Sequence, residues 1–192
     1  FIANLTSLDD ATQKALHSPV PLAFADVADN PGGGGRGNTM WILEAFHRAG
    51  VQHCLVGVIH DPALAAEAHK LGKGARFTAR FNRDVAADDP FSKPFSAEAE
   101  VVALSDGRVT GRRGIFAGTA MTLGATAALQ IGGMTVVVKS RGHFRGGFDE
   151  FFKHDQIVEV DCPGLTSPIL TRFDWKHMPR PVLPIDKEAR WP

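Results

Sequence analysis

The chain has 192 residues, of which 44% are hydrophobic and 22% are charged, a composition typical of one ordinary globular domain. Basic and acidic residues number 21 each, so the zero net charge gives no electrostatic support for a nucleic-acid or membrane partner. No apolar run approaches the roughly 18 residues of a transmembrane helix. We expect a single cytoplasmic domain over residues 1–192.

The first third of the chain alternates helical and buried-strand patterns. Ser7 is a predicted N-cap, and Asp61 followed by Pro62 predicts a second helix start. Nearly continuous apolar runs are typical of strands that are buried on both faces. The predicted helices are 7–17, 40–49 and 61–71, and the predicted strands are 22–27 and 54–59. This order predicts that the two strands form a parallel pair with a right-handed crossover.

The second half changes character before it returns to buried strands. Strict alternation at 76–81 and 97–104 predicts strands with one solvated face, and 108–133 predicts short antiparallel strands. Further buried strands are predicted at 136–138 and 157–160. Four phenylalanines at helical spacing predict a helix between them: Phe144, Phe148, Phe151 and Phe152. The predicted fold is α/β, a mostly parallel sheet flanked by helices with an antiparallel strand excursion in the middle.

The chain is organised around residues 29–39, which we call the glycine loop, between the strand 22–27 and the helix 40–49. Its sequence is Asp-Asn-Pro-Gly-Gly-Gly-Gly-Arg-Gly-Asn-Thr. Glycines let backbone N–H groups approach a ligand, and the following helix adds its own first-turn N–H groups. We therefore interpret the loop as a binding element for an anionic or oxyanionic group, the alternative being a mobile glycine-rich surface loop.

One alternative function is a dinucleotide-binding module. The segment from Gly32 to Gly37 matches G-x-G-x-x-G, and Asp61 follows the next strand where a ribose-binding acid is expected. Consecutive glycines satisfy many such patterns by chance. Asp29 would also place a negative charge beside a pyrophosphate. A dinucleotide-binding module is therefore the alternative and not the main hypothesis.

Polar clusters follow each predicted buried strand, and the carboxyl ends of parallel strands bind ligands in open α/β sheets. His60 and Asp61 follow one strand, with Asp61 best explained as a helix cap. No histidine or cysteine spacing predicts a metal site in this chain. The last two clusters are Lys139, Arg141, His143 and Arg145, and Asp161 with Thr166 and Ser167. The cationic cluster predicts an anion or the carboxylates of another domain opposite it, unless it is a solvated surface.

Five ordered stretches resemble the C-terminal region of the microcystinase-C-like (MlrC-like) metallopeptidases. They are residues 25–34, 104–107, 138–145, 161–168 and 180–186, the fourth reading Asp-Cys-Pro-Gly-Leu-Thr-Ser-Pro. The match covers nearly the whole chain in order. Asn38 stands where the family often has aspartate, which puts a carboxylate role there in doubt.

The resemblance implies a two-part zinc hydrolase, a peptidase or amidohydrolase, of which this chain is the C-terminal domain. In the family an N-terminal domain carries the zinc ligands and the catalytic groups, so this chain is expected to hold neither and to be inactive alone. Its start at Phe1 agrees with a fragment. The expected partners are the chain's own N-terminal metal-binding domain and a peptide or amide substrate, with no nucleic acid and no membrane.

Substrate contacts are expected from the glycine loop and the cationic cluster. The predicted substrate-binding residues are Asn30, Gly33, Gly34, Gly35, Lys139, His143 and Arg145. The three glycines would act through backbone N–H groups, which suit a developing oxyanion or a substrate carboxylate. A third hypothesis is a non-catalytic binding domain whose cationic cluster holds an acidic partner.

Overall fold

The computed structural model describes residues 4–114, 117–139 and 150–190. Three α-helices lie in this part of the chain: α1 Leu8–His17, α2 Trp41–Ala49 and α3 Pro62–Leu71. The strands are β1 Thr6–Ser7, β2 Ala23–Asp26, β3 Cys54–His60, β4 Arg76–Phe81, β5 Phe95–Ser105, β6 Arg108–Thr110, β7 Ala120–Thr122, β8 Thr126–Ile131, β9 Met134–Lys139 and β10 Ile157–Asp161.

The strands form two main sheets and one separate hairpin. The smaller sheet has the order β1-β10-β2 and is parallel throughout. The larger sheet has the order β3-β9-β8-β5-β4, in which only β3 and β9 pair in parallel. Strands β6 and β7 form a separate antiparallel hairpin. The α/β class and the antiparallel middle are confirmed, whereas the single, mostly parallel sheet is replaced by a parallel sheet and a mixed sheet.

The predicted parallel pair of β2 and β3 is wrong. Each of these strands pairs instead with a strand from the second half of the chain, β2 with β10 and β3 with β9. Both new pairs are parallel, but β2 and β3 are only half-buried, and Leu55 of β3 is 74% exposed, so the prediction that these two strands are buried on both faces is wrong. The choice of partner depends on contacts between residues far apart in the sequence, which local hydrophobic patterns do not encode.

The observed helix ends agree with those predicted from the capping residues in the sequence. The Ser7 hydroxyl accepts the Asp10 N–H at 3.1 Å and caps α1. Gly50 ends α2 with φ of 72°, the left-handed conformation that favours glycine at this position. The Asp61 carboxylate accepts the Leu64 N–H at 2.9 Å, and Pro62 occupies the first turn of α3. Each of these contacts satisfies an N–H or C=O group that the helix leaves unpaired.

Helix α2 connects the two sheets. Its Leu43 and Phe46 are each 1% exposed and belong to the main core, together with inward-facing side chains of the larger sheet. Phe46 also meets Phe24 of β2 edge to face, with ring centroids 5.2 Å apart. Because α2 begins directly after the glycine loop, this packing fixes the loop's exit between the sheets.

The predicted helix of phenylalanines is not formed in the part of it that the structure describes. Phe144 and Phe148 lie outside the described residues. Phe151 and Phe152 are not in an α-helix, and Phe151 is 68% exposed. The next regular element is a short 3₁₀ helix, His154–Gln156. Among the described residues, no helix combines the length and apolar character needed to cross a bilayer.

Candidate functional site

The glycine loop joins the carboxyl end of β2, in the smaller sheet, to the carboxyl end of β3, in the larger sheet. It leaves β2 through a 3₁₀ turn, Val27–Asp29, and a second 3₁₀ turn, Pro31–Gly33. At its far side the Gly37 carbonyl accepts the His60 N–H at 2.8 Å, at the end of β3. The Asp61 N–H in turn donates to the Lys139 carbonyl at 3.0 Å, at the end of β9. The carboxyl ends of β2, β3 and β9 are therefore joined along one edge.

Asp29 holds the loop closed. One carboxylate oxygen accepts the Gly37 N–H and the other accepts the Thr39 N–H, both at 2.8 Å. The two bonds span eight and ten positions of the chain. A carboxylate that accepts two backbone N–H groups makes charge-assisted hydrogen bonds. The negative charge of Asp29 therefore organises the loop from inside instead of facing a ligand.

The N–H groups of the predicted oxyanion donors already have partners inside the loop. Gly33 and Gly35 both donate to the Asn30 carbonyl at 2.9 Å, and Gly34 donates to the Pro31 carbonyl at 3.3 Å. The Asn30 side chain accepts the Gly32 N–H at 2.9 Å. This arrangement differs from an open phosphate cradle, in which such groups point at the ligand.

The loop nevertheless offers an accessible surface without side chains. Asn30, Gly33 and Gly34 are exposed, and Gly35 is half-buried. A Cβ atom at Gly34 would meet nothing within 4 Å, and its φ of 99° is a conformation that other residues rarely adopt. A ligand backbone can therefore approach closely at this turn.

The segment after β10 forms one side of the loop. The Thr166 hydroxyl accepts the Asn30 N–H at 2.9 Å, and the Thr166 N–H donates to the Ala28 carbonyl at 2.9 Å. A Cβ atom at Gly164 would lie 2.2 Å from the Ala28 carbonyl oxygen, so only glycine permits this approach. Ser167 is 5% exposed. The predicted cluster that follows β10 thus packs directly against the glycine loop.

A buried polar network supports the other side. Asn82 follows β4 with φ of 53° and is 7% exposed. Its N–H donates to the second Asp61 carboxylate oxygen at 2.9 Å, and its side-chain amide donates to the carbonyls of Asn38 at 2.7 Å and Lys93 at 3.1 Å. Its side-chain oxygen accepts the Asn38 amide at 3.2 Å. Asn82 therefore couples the loop exit to α3 and to the segment before β5.

Lys139 is placed at this edge but is 1% exposed. It is the last residue of β9 and lies opposite His60 in the register of β3. His143 and Arg145, the two other cationic residues predicted to bind substrate, lie outside the described residues. The predicted role of all seven substrate-binding residues stays a prediction.

Asp26 lies at the end of β2, beneath the loop. Its carboxylate accepts the Thr39 hydroxyl at 2.8 Å and the Ala28 N–H at 3.1 Å. Burial, against the lowering effect of the Thr39 hydroxyl, raises the pKa of Asp26 from 3.8 to about 6. Burial and the nearby Asp26 also raise the pKa of the Cys162 thiol far above its ordinary value. Cys162 is therefore a protonated, buried thiol and not a nucleophile.

Replacing Asp26 by asparagine is expected to flatten the pH dependence of stability. A carboxyl whose pKa is raised in the folded state stabilises the fold while protonated, and this stability is lost as pH rises from about 4 to about 6. The wild-type free energy of unfolding should fall across this interval by on the order of 3 kcal/mol more than that of Asp26→Asn. Urea unfolding at several pH values measures this difference. The exposed variant Asp106→Asn should keep the wild-type slope, and an equal slope in Asp26→Asn would contradict the assignment.

The dinucleotide alternative loses its structural basis. The parallel β2–α2–β3 unit that it requires is not formed, because β2 and β3 belong to different sheets. Both Asp61 carboxylate oxygens accept backbone N–H groups, from Leu64 and from Asn82. Asp61 is a helix cap and a network residue, in agreement with the cap prediction.

The described residues do not form a zinc site. Within 4–114, 117–139 and 150–190, no three histidine, cysteine, aspartate or glutamate side chains come together in a way that could hold a metal ion. Cys54 and Cys162 are both free thiols. The donor set of these residues therefore does not fit the zinc that the resemblance implies.

Sequence reasoning missed Asn82 and the close approach of Gly164. Asparagine directly after a strand is a usable signal, because asparagine tolerates positive φ better than most residues. Gly164 stands in the stretch that carries the family resemblance. Neither signal indicates which distant segment the residue contacts.

Comparison with known proteins gives a family and a fold. The family model described as "MlrC C-terminus" matches residues 24–141, which contain the glycine loop, Asp61, Asn82 and Lys139. A crystal structure described as "Putative metallopeptidase" from Mesorhizobium sp. BNC1 is 23% identical with a TM-score of 0.77, a likeness of fold. It covers 100% of this chain, whereas this chain covers 43% of that protein. No curated protein matches the chain.

Proposed function

The chain belongs to the MlrC C-terminus family, and we propose that it forms one wall of the substrate cleft of a zinc-dependent peptidase or amidohydrolase. In this proposal the metal is held by an N-terminal domain of a longer protein. The observation that carries the proposal is the exposed, side-chain-free turn at the junction of two sheets, in a chain whose described residues hold no metal cluster. The similar solved structure, described as a metallopeptidase and more than twice as long, supports it.

The contribution of this chain is to bind and orient the substrate. The turn at Gly34 lets a peptide backbone approach without obstruction by side chains, whereas Gly33 packs against the Thr166 side chain. Asp29 and Asn82 keep this surface in one conformation by bonding the loop's N–H groups and its exit carbonyl. Such pre-organisation lowers the cost of placing a substrate. His143 and Arg145 are proposed to extend the cleft toward a carboxylate or carbonyl of the substrate, whereas Lys139 is buried beneath this edge in the described chain.

The glycine surface can be tested by adding a side chain that the fold tolerates. In Gly34→Asn the new side chain enters open space, and asparagine tolerates the left-handed conformation. In the longer protein we expect a small decrease in melting temperature from the strained φ of 99°, and a fall in kcat/KM for peptide substrates of roughly tenfold or more, as for other misplacements of substrate.

Gly50→Asn is the matched control. Gly50 has φ of 72°, and a Cβ atom there would also meet nothing within 4 Å, but this residue ends α2 away from the loop. The variant should hydrolyse peptides at the wild-type rate. If Gly34→Asn did so too, the glycine turn would not contact substrate and the proposed cleft wall would be misplaced.

A further inference from the structure

Three aromatic side chains form a small cluster apart from both hydrophobic cores. Phe91 meets Phe173 with ring centroids 6.2 Å apart, and Phe173 meets Trp175 at 5.4 Å. Phe91 and Phe173 are half-buried, and Trp175 is 41% exposed. We call Phe91, Phe173 and Trp175 the aromatic cluster. Exposed aromatic groups that pack on each other are common in binding surfaces.

The cluster is held by hydrogen bonds rather than by core packing. The Trp41 indole N–H donates to the Phe91 carbonyl at 2.9 Å, which ties the cluster to the start of α2. The Trp175 indole N–H donates to the Leu170 carbonyl at 2.7 Å and fixes the orientation of its ring. The polar edge of Trp175 is thereby satisfied, so the exposed remainder of the ring is available for apolar contacts.

The cluster lies beside the glycine loop. The bond from Trp41 joins Phe91 to the first residue of α2, directly after the loop. The Asp89 carboxylate accepts the N–H groups of Ser92 and Phe91, and these bonds, with a smaller contribution from Arg36 of the loop, hold the pKa of Asp89 below its ordinary value. On the other side, the Arg172 guanidinium, next to Phe173, makes a two-fold ion pair with Asp161 at the end of β10. Both ends of the cluster are therefore attached to segments that border the candidate cleft.

The local charge favours an uncharged ligand group. Arg172 is the cation nearest in sequence to Phe173, and its charge is compensated by Asp161 at 2.5 Å. Lys93, two positions after Phe91, lies 3.9 Å from the Trp41 ring centroid and pairs with Glu44. Lys176, which follows Trp175, pairs with Asp174, so the cations next to the cluster are all compensated by carboxylates.

We propose that the aromatic cluster binds an aromatic or large aliphatic side chain of the peptide substrate and sets the preference of the enzyme at that position. This inference rests on the proposed function. The cluster is attached through Trp41 and Asp161 to the edge at which the glycine loop lies, and Trp175 offers exposed ring surface there. Aromatic contacts of this kind contribute enough to change specificity by about tenfold.

The test uses two blocked peptides that differ at one position. Acetylated, amidated peptides with phenylalanine or alanine at that position are compared in the longer protein by kcat/KM and by equilibrium dialysis. We expect the phenylalanine peptide to be preferred by about tenfold, Trp175→Ala to abolish the preference, and Trp175→Phe to restore part of it. Leu55→Ala is the control, because Leu55 is 74% exposed and lies at the amino end of β3.

The outcomes separate this inference from the proposed function. If the wild-type protein hydrolyses neither peptide, the peptidase proposal fails, and dialysis still decides whether the cluster distinguishes phenylalanine from alanine. Equal affinity and equal kcat/KM for the two peptides would overturn the inference. It would also be overturned if Trp175→Ala reduced hydrolysis of both peptides equally and lowered the melting temperature, as expected for a contact between domains.

Discussion

Replacing Asn82 by alanine is expected to destabilise the domain by about 3–4 kcal/mol. The change removes the bonds that the Asn82 side chain makes to Asn38 and to the Lys93 carbonyl, and it leaves the buried polar groups without partners. It also places alanine at φ of 53°, which costs about 1 kcal/mol. Urea unfolding of the wild type and the variant measures the difference.

Two controls separate the network from the backbone conformation. Asn82→Gly loses the same side-chain bonds without the conformational cost, so it should be less destabilising than Asn82→Ala by about 1 kcal/mol. His53 is exposed and has the same φ of 53°, so His53→Ala should cost only the conformational part. A loss below about 1 kcal/mol in Asn82→Ala would show that the network does not hold the loop exit.

Replacing Asp29 by alanine is expected to destabilise the domain by about 2–3 kcal/mol, because two charge-assisted hydrogen bonds to backbone are lost. The N–H groups of Gly37 and Thr39 would lose their shared acceptor. The relief of repulsion with Asp26 offsets a minor part of this cost. Hydrogen exchange should accelerate at these two amides, and kcat/KM of the longer protein should fall as the turn loses its fixed conformation.

Asp106→Ala is the matched control for Asp29→Ala. Asp106 also accepts a backbone N–H, from Arg108 at 3.1 Å, but in an exposed turn where water replaces the lost bond. Its cost should stay within about 0.5 kcal/mol. Equal exchange rates at Gly37 and Thr39 in wild type and Asp29→Ala would refute the role of Asp29 as the closing residue of the loop.

The elements that the sequence predicted well are those with local physical causes. Ser7, Gly50 and Asp61 cap helices through contacts within four residues, so their positions could be read from the chain. Strict alternation likewise identified β4 and β5, whose inward side chains are buried in the main core. These signals need no knowledge of the rest of the fold.

The sheet partners could not be predicted in this way. The sequence of an apolar strand does not indicate which strand it pairs with, and β2 pairs with a strand that begins at Ile157. Assigning β2 and β3 to one sheet followed from their closeness in sequence, which is only a tendency. The family resemblance, in contrast, used motifs from the whole chain and is confirmed by the match to the MlrC C-terminus family.

In the glycine loop, too, the local structure was predicted from the sequence but the contacts were not. Its position between a strand and α2 was predicted, but its N–H groups were expected to face a ligand. The structure directs those of Gly33, Gly34 and Gly35 to carbonyls of Asn30 and Pro31. The carbonyls of Asn30 and Pro31 and the carboxylate of Asp29 accept the N–H groups of the loop in place of a ligand. These bonds form only in the closed conformation of the loop, which local sequence patterns do not indicate.

We propose that this chain supplies a substrate-binding wall and that the metal is held elsewhere in the longer protein. The most direct test of this proposal is the zinc content of the purified chain and of the longer protein, measured by mass spectrometry after dialysis against micromolar zinc. We expect stoichiometric zinc and peptide hydrolysis in the longer protein, and neither in the chain of residues 1–192. Stoichiometric zinc bound to this chain alone, with hydrolysis of peptides, would contradict it.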